Sequence, residues 1–428
     1  MTARDAALRA LLACRKDGAW SDGALKQLLS GMEPREAALA SRLCYGVLQN
    51  RLLLDFWLRP FVHGKLQPAV EEILRLAVYQ LTFLDKIPPS AAVNEAVRQA
   101  KRFANPAAAR LVNGVLRSFL RAGKPELPDD LSTRYSHPPE LTALLQAQFG
   151  EKAERLLQSH NEAPETVLQV NTLQATTAQV ERALTEAGAQ WQPHPWMPDC
   201  LTVRGTGELE KLNAFRSGWC YVQDAAARAA VWAAGLLPGM RVLDCCAAPG
   251  GKSFAAAIAM RNKGKIVSCD IHPHKLQLIE CGVKRLGIDG METRLQDAAV
   301  PVGEWSEEFD AVLCDVPCSG LGVIRKKPDI RYKDLAQTER LPELQLAILD
   351  NQARYVRPGG VLLYSTCTIL RRENEAVVEA FLRQHPEFSP EAAVYPEGSG
   401  LEAAAMTTFL PCDHGTDGFF AAKLRKEG

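Results

Sequence analysis

The chain has no apolar run approaching the ~18–20 residues that a membrane-spanning helix requires, so no membrane partner is expected. Its start, MTARDAALRA, lacks the apolar stretch and cleavage site of a secretion signal, and the expected compartment is therefore the cytoplasm. The 12 cysteines form no Cys-x-x-Cys pair and the 8 histidines show no ligand spacing, which excludes the familiar zinc frameworks; no metal is expected. Spread over 428 residues without a secretory context, the cysteines are expected as reduced thiols, most of them serving as small buried hydrophobes. No internal repeat or low-complexity segment is present. Net charge is absent as well, with 50 Lys and Arg against 50 Asp and Glu.

That balance conceals a polarity along the chain. Residues 1–125 carry 19 basic against 10 acidic side chains, and the remainder 31 against 40. A basic module joined to an acidic one fits the electrostatic footprint of a polyanion-binding protein. The length also exceeds what one hydrophobic core normally serves. From Ala6 to about Leu120 the apolar residues recur at helical spacing: Val70, Ile73, Leu74, Ala77 and Leu81 form one stripe, with Glu71, Glu72 and Arg75 off it. A second helix follows Pro88-Pro89-Ser90, with Ser90 as its cap and Val93, Ala96, Val97 and Ala100 as its buried face; Asn105-Pro106 ends it, and ARLVNGVLRSFL begins another. The Pro-rich, polar stretch Ala122–Glu140 reads as a linker. Helical LTALLQAQFGEKAERLLQSH, strand-like TVLQVN, helical TAQVERALTEAG and strand-like CLTVRG then suggest a small α+β unit.

From Pro238 onward, MRVLDCC, KIVSCDI, FDAVLCDV and GGVLLYST are short apolar runs separated by helical or loop sequence, the pattern of a parallel sheet covered on both faces. DGFFAAKLRK supplies one more strand that would close the sheet edge. The first strand runs into CCAAPGGKS, where a glycine turn precedes an alanine-rich helix, an arrangement that brings backbone close to a nucleotide-like ligand. A Walker loop would need glycine where Cys246 stands, and G-x-G-x-x-G is absent, so neither a nucleotide triphosphatase nor a dinucleotide fingerprint is read here. Asp270, about twenty residues after Gly250, takes the place of an acid on a ribose diol. Asp297, after the third strand, is placed to accept from an adenine amino group.

Two strand ends carry Asp315-Val316-Pro317-Cys318 and Ser365-Thr366-Cys367-Thr368, and strand carboxyl ends are where open α/β sheets bind ligands. Cys245, Cys246, Cys269 and Cys314 lack a comparable polar neighbourhood and are read as structural. A thiol pair in such a crevice suits methylation of a carbon that is not itself nucleophilic. Carbon-5 of cytosine reacts only after a nucleophile adds to carbon-6, and a thiolate does this well. Asp315 is placed to protonate or hydrogen-bond ring nitrogen-3, and a second base must remove the carbon-5 proton. Position alone leaves open which cysteine attacks. The attacking thiol, with an ordinary pKa of about 8.5, needs activation, for which Lys252 is a candidate.

DCCAAPGGKS, SCDI, QDAA, DVPCSGLG, YSTCT and DGFF, in this order between Asp244 and Phe420, resemble the Sun/Fmu family of ribosomal RNA cytosine-5 methyltransferases, relatives of the Nop2/Sun enzymes. The resemblance implies S-adenosyl-L-methionine held by Cys246, Ala247, Ala248, Pro249, Gly250, Gly251 and Lys252, with its ribose on Asp270 and its adenine on Asp297. It implies that Asp315 serves cofactor and target base, that Cys367 is the nucleophile and that Cys318 acts in product release. DNA cytosine methyltransferases use the cysteine of a Pro-Cys step, whereas this family uses the Thr-Cys step, so both cysteines together point to RNA. AAVNEAVRQAKRF and ARLVNGVLRSF are similar to the NusB-type RNA-binding domain, and the central unit resembles an RNA-recognition-like insert ending in GWCYVQDAAA. Gln169 departs from the arginine that family members often have before Val-Asn.

The expected fold is thus multidomain: an all-α NusB-like bundle at 1–135, a small α+β RNA-recognition-like unit at 136–225, and an α/β Rossmann-like methyltransferase domain at 226–428. In RKKPDIRY, Lys326, Lys327, Arg331 and Tyr332 combine base and aromatic as an RNA groove would. Carbon-6 is reachable only in an unstacked cytosine, which makes free 16S ribosomal RNA or an early assembly intermediate the expected partner of a monomeric enzyme. The alternatives are the same chemistry on tRNA and a non-catalytic NusB-like RNA-binding protein.

Overall fold

Period-3.6 sequence followed by alternating strands and helices predicts two kinds of core, and the computed structural model, which describes residues 1–17, 21–123 and 125–428, contains both. Lys124 of the Ala122–Glu140 linker lies outside the described residues. The chain forms two compact units, one of residues 1–162 with 324–333, the other of 163–323 with 334–428.

Among the described residues of the first unit, seven α-helices between Ala3 and Ala122 enclose a core rich in Leu, Val, Ile and Ala side chains. The helix Pro68–Phe83 buries Val70, Ile73, Leu74 and Ala77 as its stripe requires. Glu72 and Arg75, expected off the stripe, are buried too. They are tolerated because Arg75 Nη1 donates to Glu72 (2.5 Å) and its Nε and Nη2 grip both oxygens of Asp55 (2.7 and 2.9 Å). Ser90 does not cap its helix, which starts at Pro89; Asn105 does cap the next, Pro106–Ala122, by accepting from the Ala108 amide (2.9 Å). After the linker the run at 141–160 breaks at Gly150 into Pro139–Phe149 and Ala153–Ser159.

The second unit holds two sheets. The smaller is antiparallel, in the order β2-β3-β1-β4, with β1 Thr166–Val170, β2 Gln190–Pro193, β3 Cys200–Arg204 and β4 Cys220–Val222. Its helix Thr177–Glu186 begins with a reciprocal capping box between Thr176 and Gln179. β2 and β4 are too short and too mixed to announce themselves in the sequence. Gln169, 1 % exposed, bonds the Cys200 sulfur and the Gln223 carbonyl (both 3.1 Å), so this position faces protein rather than RNA. Asn171 Nδ2 ties the small sheet to the larger domain through the Gly218 and Leu286 carbonyls (both 2.8 Å).

The larger sheet comprises β5 Arg241–Asp244, β6 Lys265–Asp270, β7 Met291–Leu295, β8 Phe309–Asp315, β9 Val356–Thr366, β10 Phe388–Pro390, β11 Met406–Phe409 and β12 Phe419–Lys426. Its order is β10-β12-β9-β8-β5-β6-β7, with β5 to β9 parallel and β11 also paired to β12. β12, expected to close the sheet edge, lies inside it: β9 takes one side, and β10 and β11 share the other. The chain leaves β5 toward β6 and β7, then returns to β8 on the other side of β5. This reversal opens a crevice above the carboxyl ends of β5 and β8, the place where doubly wound sheets bind ligands.

Candidate functional site

Leu243 and its neighbours bury β5 between helices, so the chain emerges at Asp244 directly into the crevice. Gly250 there adopts φ +109°, and a Cβ on it would lie 2.4 Å from the Phe254 ring; only glycine fits. The helix Gly251–Ala259 starts at this turn with its amide groups directed to the crevice. Beneath the loop, Asp244 Oδ2 accepts from Ser253 Oγ (2.7 Å), which accepts from Ser268 Oγ (2.8 Å). Burial, opposed by the Ser253 bond and the charge of Lys252, pushes the Asp244 carboxyl up to about 6. At the end of β6, Asp270 Oδ1 accepts from the His272 amide (2.9 Å) and lies 3.8 Å from Lys275 Nζ. The Gln296 amide donates to the Asp270 carbonyl (3.2 Å), which sets Asp297 on the neighbouring strand end. Asp297 is exposed, and its Oδ1 caps a turn at the Ala299 amide (2.9 Å).

Asp315, Lys252, Cys318 and Cys367 meet on the other side of the crevice. Lys252 Nζ lies 2.6 Å from Asp315 Oδ2 and 5.0 Å from the centre of the Phe419 ring, while Ser365 Oγ donates to Asp315 Oδ1 (3.0 Å). The Cys318 and Cys367 sulfurs are 3.2 Å apart. The hydrogen bond from Cys318, helped by the Lys252 charge and opposed by burial, lowers the Cys367 thiol from its ordinary value; the same bond and burial raise Cys318 well above its own. Elsewhere burial raises thiols, Cys269 to about 12, as suits structural cysteines. Both directions favour the proton on Cys318 and the thiolate on Cys367. Ser319 Oγ and Thr368 Oγ1 (2.8 Å) lock the two cysteine loops together. Ser365, Ser319, Thr368 and the Asp244 network carry no spacing signal that sequence reading could have used.

The basic-aromatic segment behaves differently. Residues 324–333 are built into the first unit, and the expectation that Arg331 and Tyr332 contact RNA is corrected. Arg331 is 1 % exposed and donates to the Gln49 and Ser136 carbonyls and to Asn161 Oδ1 (2.9, 3.2 and 2.9 Å). Tyr332 donates to the Leu48 carbonyl (2.8 Å). Beside them lie the fully buried His137 and His160, which burial and the Arg331 charge keep neutral, His160 pushed down to about 3. Lys327 is exposed, 3.7 Å from Asp22, and Lys326 is partly exposed. Arg331→Ala leaves several buried acceptors without donors and is expected to destabilise the first unit by about 3 kcal/mol, read by urea unfolding. A variant as stable as the parent but weaker in RNA binding would restore the original expectation.

Among the described residues no helix is long and apolar enough to cross a membrane, and no group of three His, Cys, Asp or Glu could hold a metal. Family comparisons agree with the architecture. Residues 236–425 match the 16S rRNA methyltransferase RsmB/F family, residues 1–121 the NusB family, and residues 137–210 the ferredoxin-like domain of RsmF/B-like methyltransferases. The chain is 38% identical to the probable ribosomal RNA small subunit methyltransferase B of Bacillus subtilis, over 99% of both chains. It is 34% identical to the ribosomal RNA small subunit methyltransferase B of Klebsiella pneumoniae, over 99% of this chain and 98% of that one. The solved structure of PH0851 superposes with a TM-score of 0.82 at 28% identity, covering 98% of both chains. With full-length relatives, a matching domain series and a methyltransferase-type crevice at the sheet reversal, the chain belongs to the RsmB/F family of 16S rRNA methyltransferases.

Proposed function

We propose that the protein methylates carbon-5 of a cytosine in small-subunit (16S) ribosomal RNA, with Cys367 as nucleophile, Cys318 as the base that ends the reaction, and S-adenosyl-L-methionine as methyl donor. The observation that carries this reading is the thiol pair, 3.2 Å apart, beside the Lys252–Asp315 ion pair. S-adenosyl-L-methionine supplies an electrophilic methyl on a sulfonium. The residues present fit it: the cradle Cys246–Lys252 with Gly250 open to close approach, Asp270 Oδ2 for the ribose hydroxyls, and Asp297 at the neighbouring strand end for the adenine.

Cys367 thiolate bonds to carbon-6 of the base, and the pyrimidine electrons shift so that carbon-5 becomes nucleophilic. Asp315, held by Lys252 and Ser365, is the group for ring nitrogen-3 at the base edge, with the Lys252 ammonium beside it as the source of a proton. Once carbon-5 carries the methyl group and Cys318 has given its own proton to water, the Cys318 thiolate takes the carbon-5 proton, the carbon-6–sulfur bond breaks, and Cys367 leaves as thiolate. The target base must be unstacked to reach these groups, which favours free RNA or an early assembly intermediate, met in the cytoplasm by a single chain without metal.

The proposed modules, 1–135 helical, 136–225 small α+β and 226–428 catalytic, divide RNA binding from chemistry. Arg110, Arg117 and Arg121 are exposed along one stripe of the helix Pro106–Ala122, and no acid occurs from Arg98 to Ala122. Lys326 and Lys327 are further candidates for phosphate contact.

Incubation of purified protein with radiolabelled S-adenosyl-L-methionine and unmodified small-subunit rRNA is expected to label one cytosine at carbon-5, located by nuclease mapping. Label found in tRNA but not in rRNA, or at an atom other than carbon-5, would overturn the proposal.

A further inference from the structure

The carboxyl of Glu373 lies enclosed under the Cys318 loop. Glu373 is 0 % exposed and closes the short turn Arg371–Glu373, which follows the Cys367 strand end. Its Oε2 accepts from the Ser319 amide (2.8 Å) and from Gln345 Nε2 (3.1 Å), and Gln345 Nε2 also donates to the Pro317 carbonyl (2.9 Å). Glu373 and Gln345 therefore clamp the backbone on both sides of Cys318. The second oxygen, Oε1, is buried without a partner, and among the described residues Glu373 makes no ion pair. Burying a charge unpaired is costly, and a glutamine could accept the same two hydrogen bonds at less expense. A carboxyl rather than an amide at this place needs a reason.

The groups around the thiols supply it. Lys252 and Asp417 face Cys367, Asp315 faces both sulfurs, and Glu373 and the Tyr364 phenol adjoin Cys318. The cation Lys252 thus stands on the Cys367 side, together with the buried Asp417, and Glu373 is the carboxyl that adjoins Cys318. We propose that Glu373 is a positioning residue for the cysteine pair: it fixes the Cys318 loop through Ser319, and its charge keeps the proton on Cys318 so that the thiolate forms on Cys367. This inference rests on the reading of Cys367 as nucleophile, and it explains why two adjacent thiols do not compete for that role. When Cys367 bonds to carbon-6, the neighbouring thiolate disappears, and Cys318 releases its proton to water more readily. The same Glu373 charge then makes the Cys318 thiolate a stronger base for the carbon-5 proton.

The test is the pH dependence of Cys318 alkylation by iodoacetamide, followed by peptide mass spectrometry in full-length Cys367→Ser protein without RNA or cofactor. Adding Glu373→Gln keeps the acceptor but removes the charge; it is expected to lower the alkylation midpoint by about one pH unit and to raise the rate below that midpoint about tenfold. Glu373→Asp keeps the charge and is expected to titrate close to the parent. An unchanged midpoint in folded Glu373→Gln, or the same displacement in Glu373→Asp, overturns the proposal. If Glu373→Gln does not fold, Gln345→Leu is read instead: it removes only the neutral half of the clamp and should leave the midpoint in place, so a one-unit move would refute the assignment to charge. Because no substrate is present, this titration is separate from the question of which thiol attacks RNA, which the cysteine variants answer.

Discussion

Cys367→Ala is expected to lose methyl transfer by more than about 10⁴-fold, because without a bond at carbon-6 the base has no nucleophilic carbon-5 and the remaining groups can only position it. Cys318→Ala should fail differently. Its Cys367 still adds to the base and the methyl group still transfers, but the carbon-5 proton stays, so a methylated RNA–protein adduct accumulates. Denaturing electrophoresis with labelled RNA reads both: no adduct and no product for Cys367→Ala, a slow-migrating labelled band for Cys318→Ala. Cys318→Ala also deletes the hydrogen bond that lowers the Cys367 thiol, so its adduct should form more slowly and gain rate as pH rises. Exchange of the two phenotypes would reverse the proposed roles. It would also remove the argument that the Thr-Cys step marks an RNA enzyme.

Lys252→Met should lower turnover by about 10²–10³-fold, in the range found when one preorganised charge donor is removed from an active site. The effect has a sign that can be checked. A cation near a thiol favours the charged form, so Lys252 helps to hold Cys367 below its ordinary value, second in that direction to the Cys318 hydrogen bond. Without Lys252 the thiol titrates at higher pH. The rising limb of the single-turnover rate against pH should therefore move to the alkaline side, with part of the lost activity recovered at high pH. The remainder belongs to Asp315, whose carboxylate would lose its 2.6 Å partner. A uniform loss with the limb in place would assign Lys252 to cofactor binding alone.

The first of these expectations draws on sequence, the second on geometry. Four of the five parallel strands were legible because β5, β6, β8 and β9 are largely buried and read as apolar runs. The helical front was legible through its 3.6-residue period. β2, β4, β10 and β11 were not, since strands of three or four residues, some half exposed, hold too few positions for a pattern. β12 was recognised as a strand but not as an interior one, because pairing on its second side comes from segments remote in sequence.

At the candidate site the local signals were those set by backbone chemistry: the glycine turn, the strand-end acids and cysteines. Side chains whose meaning depends on distant partners misled. RKKPDIRY has the composition of an RNA-binding loop, yet Arg331 is consumed by the carbonyls of Gln49 and Ser136 and by Asn161, groups 170 and more residues away. Glu373 showed nothing in sequence to distinguish it from a solvated acid.

By itself, then, the sequence determined the fold class, the family and the two thiols in one crevice, because periodicity, turn chemistry and short motifs are written in contiguous residues. Only the tertiary structure decided that Asp315 is paired with Lys252, that the Cys318 and Cys367 sulfurs lie 3.2 Å apart, and that Arg331 is buried among carbonyl acceptors. Charge state and burial belong to neighbourhoods, and these neighbourhoods are assembled from strand ends and loops that lie far apart along the chain.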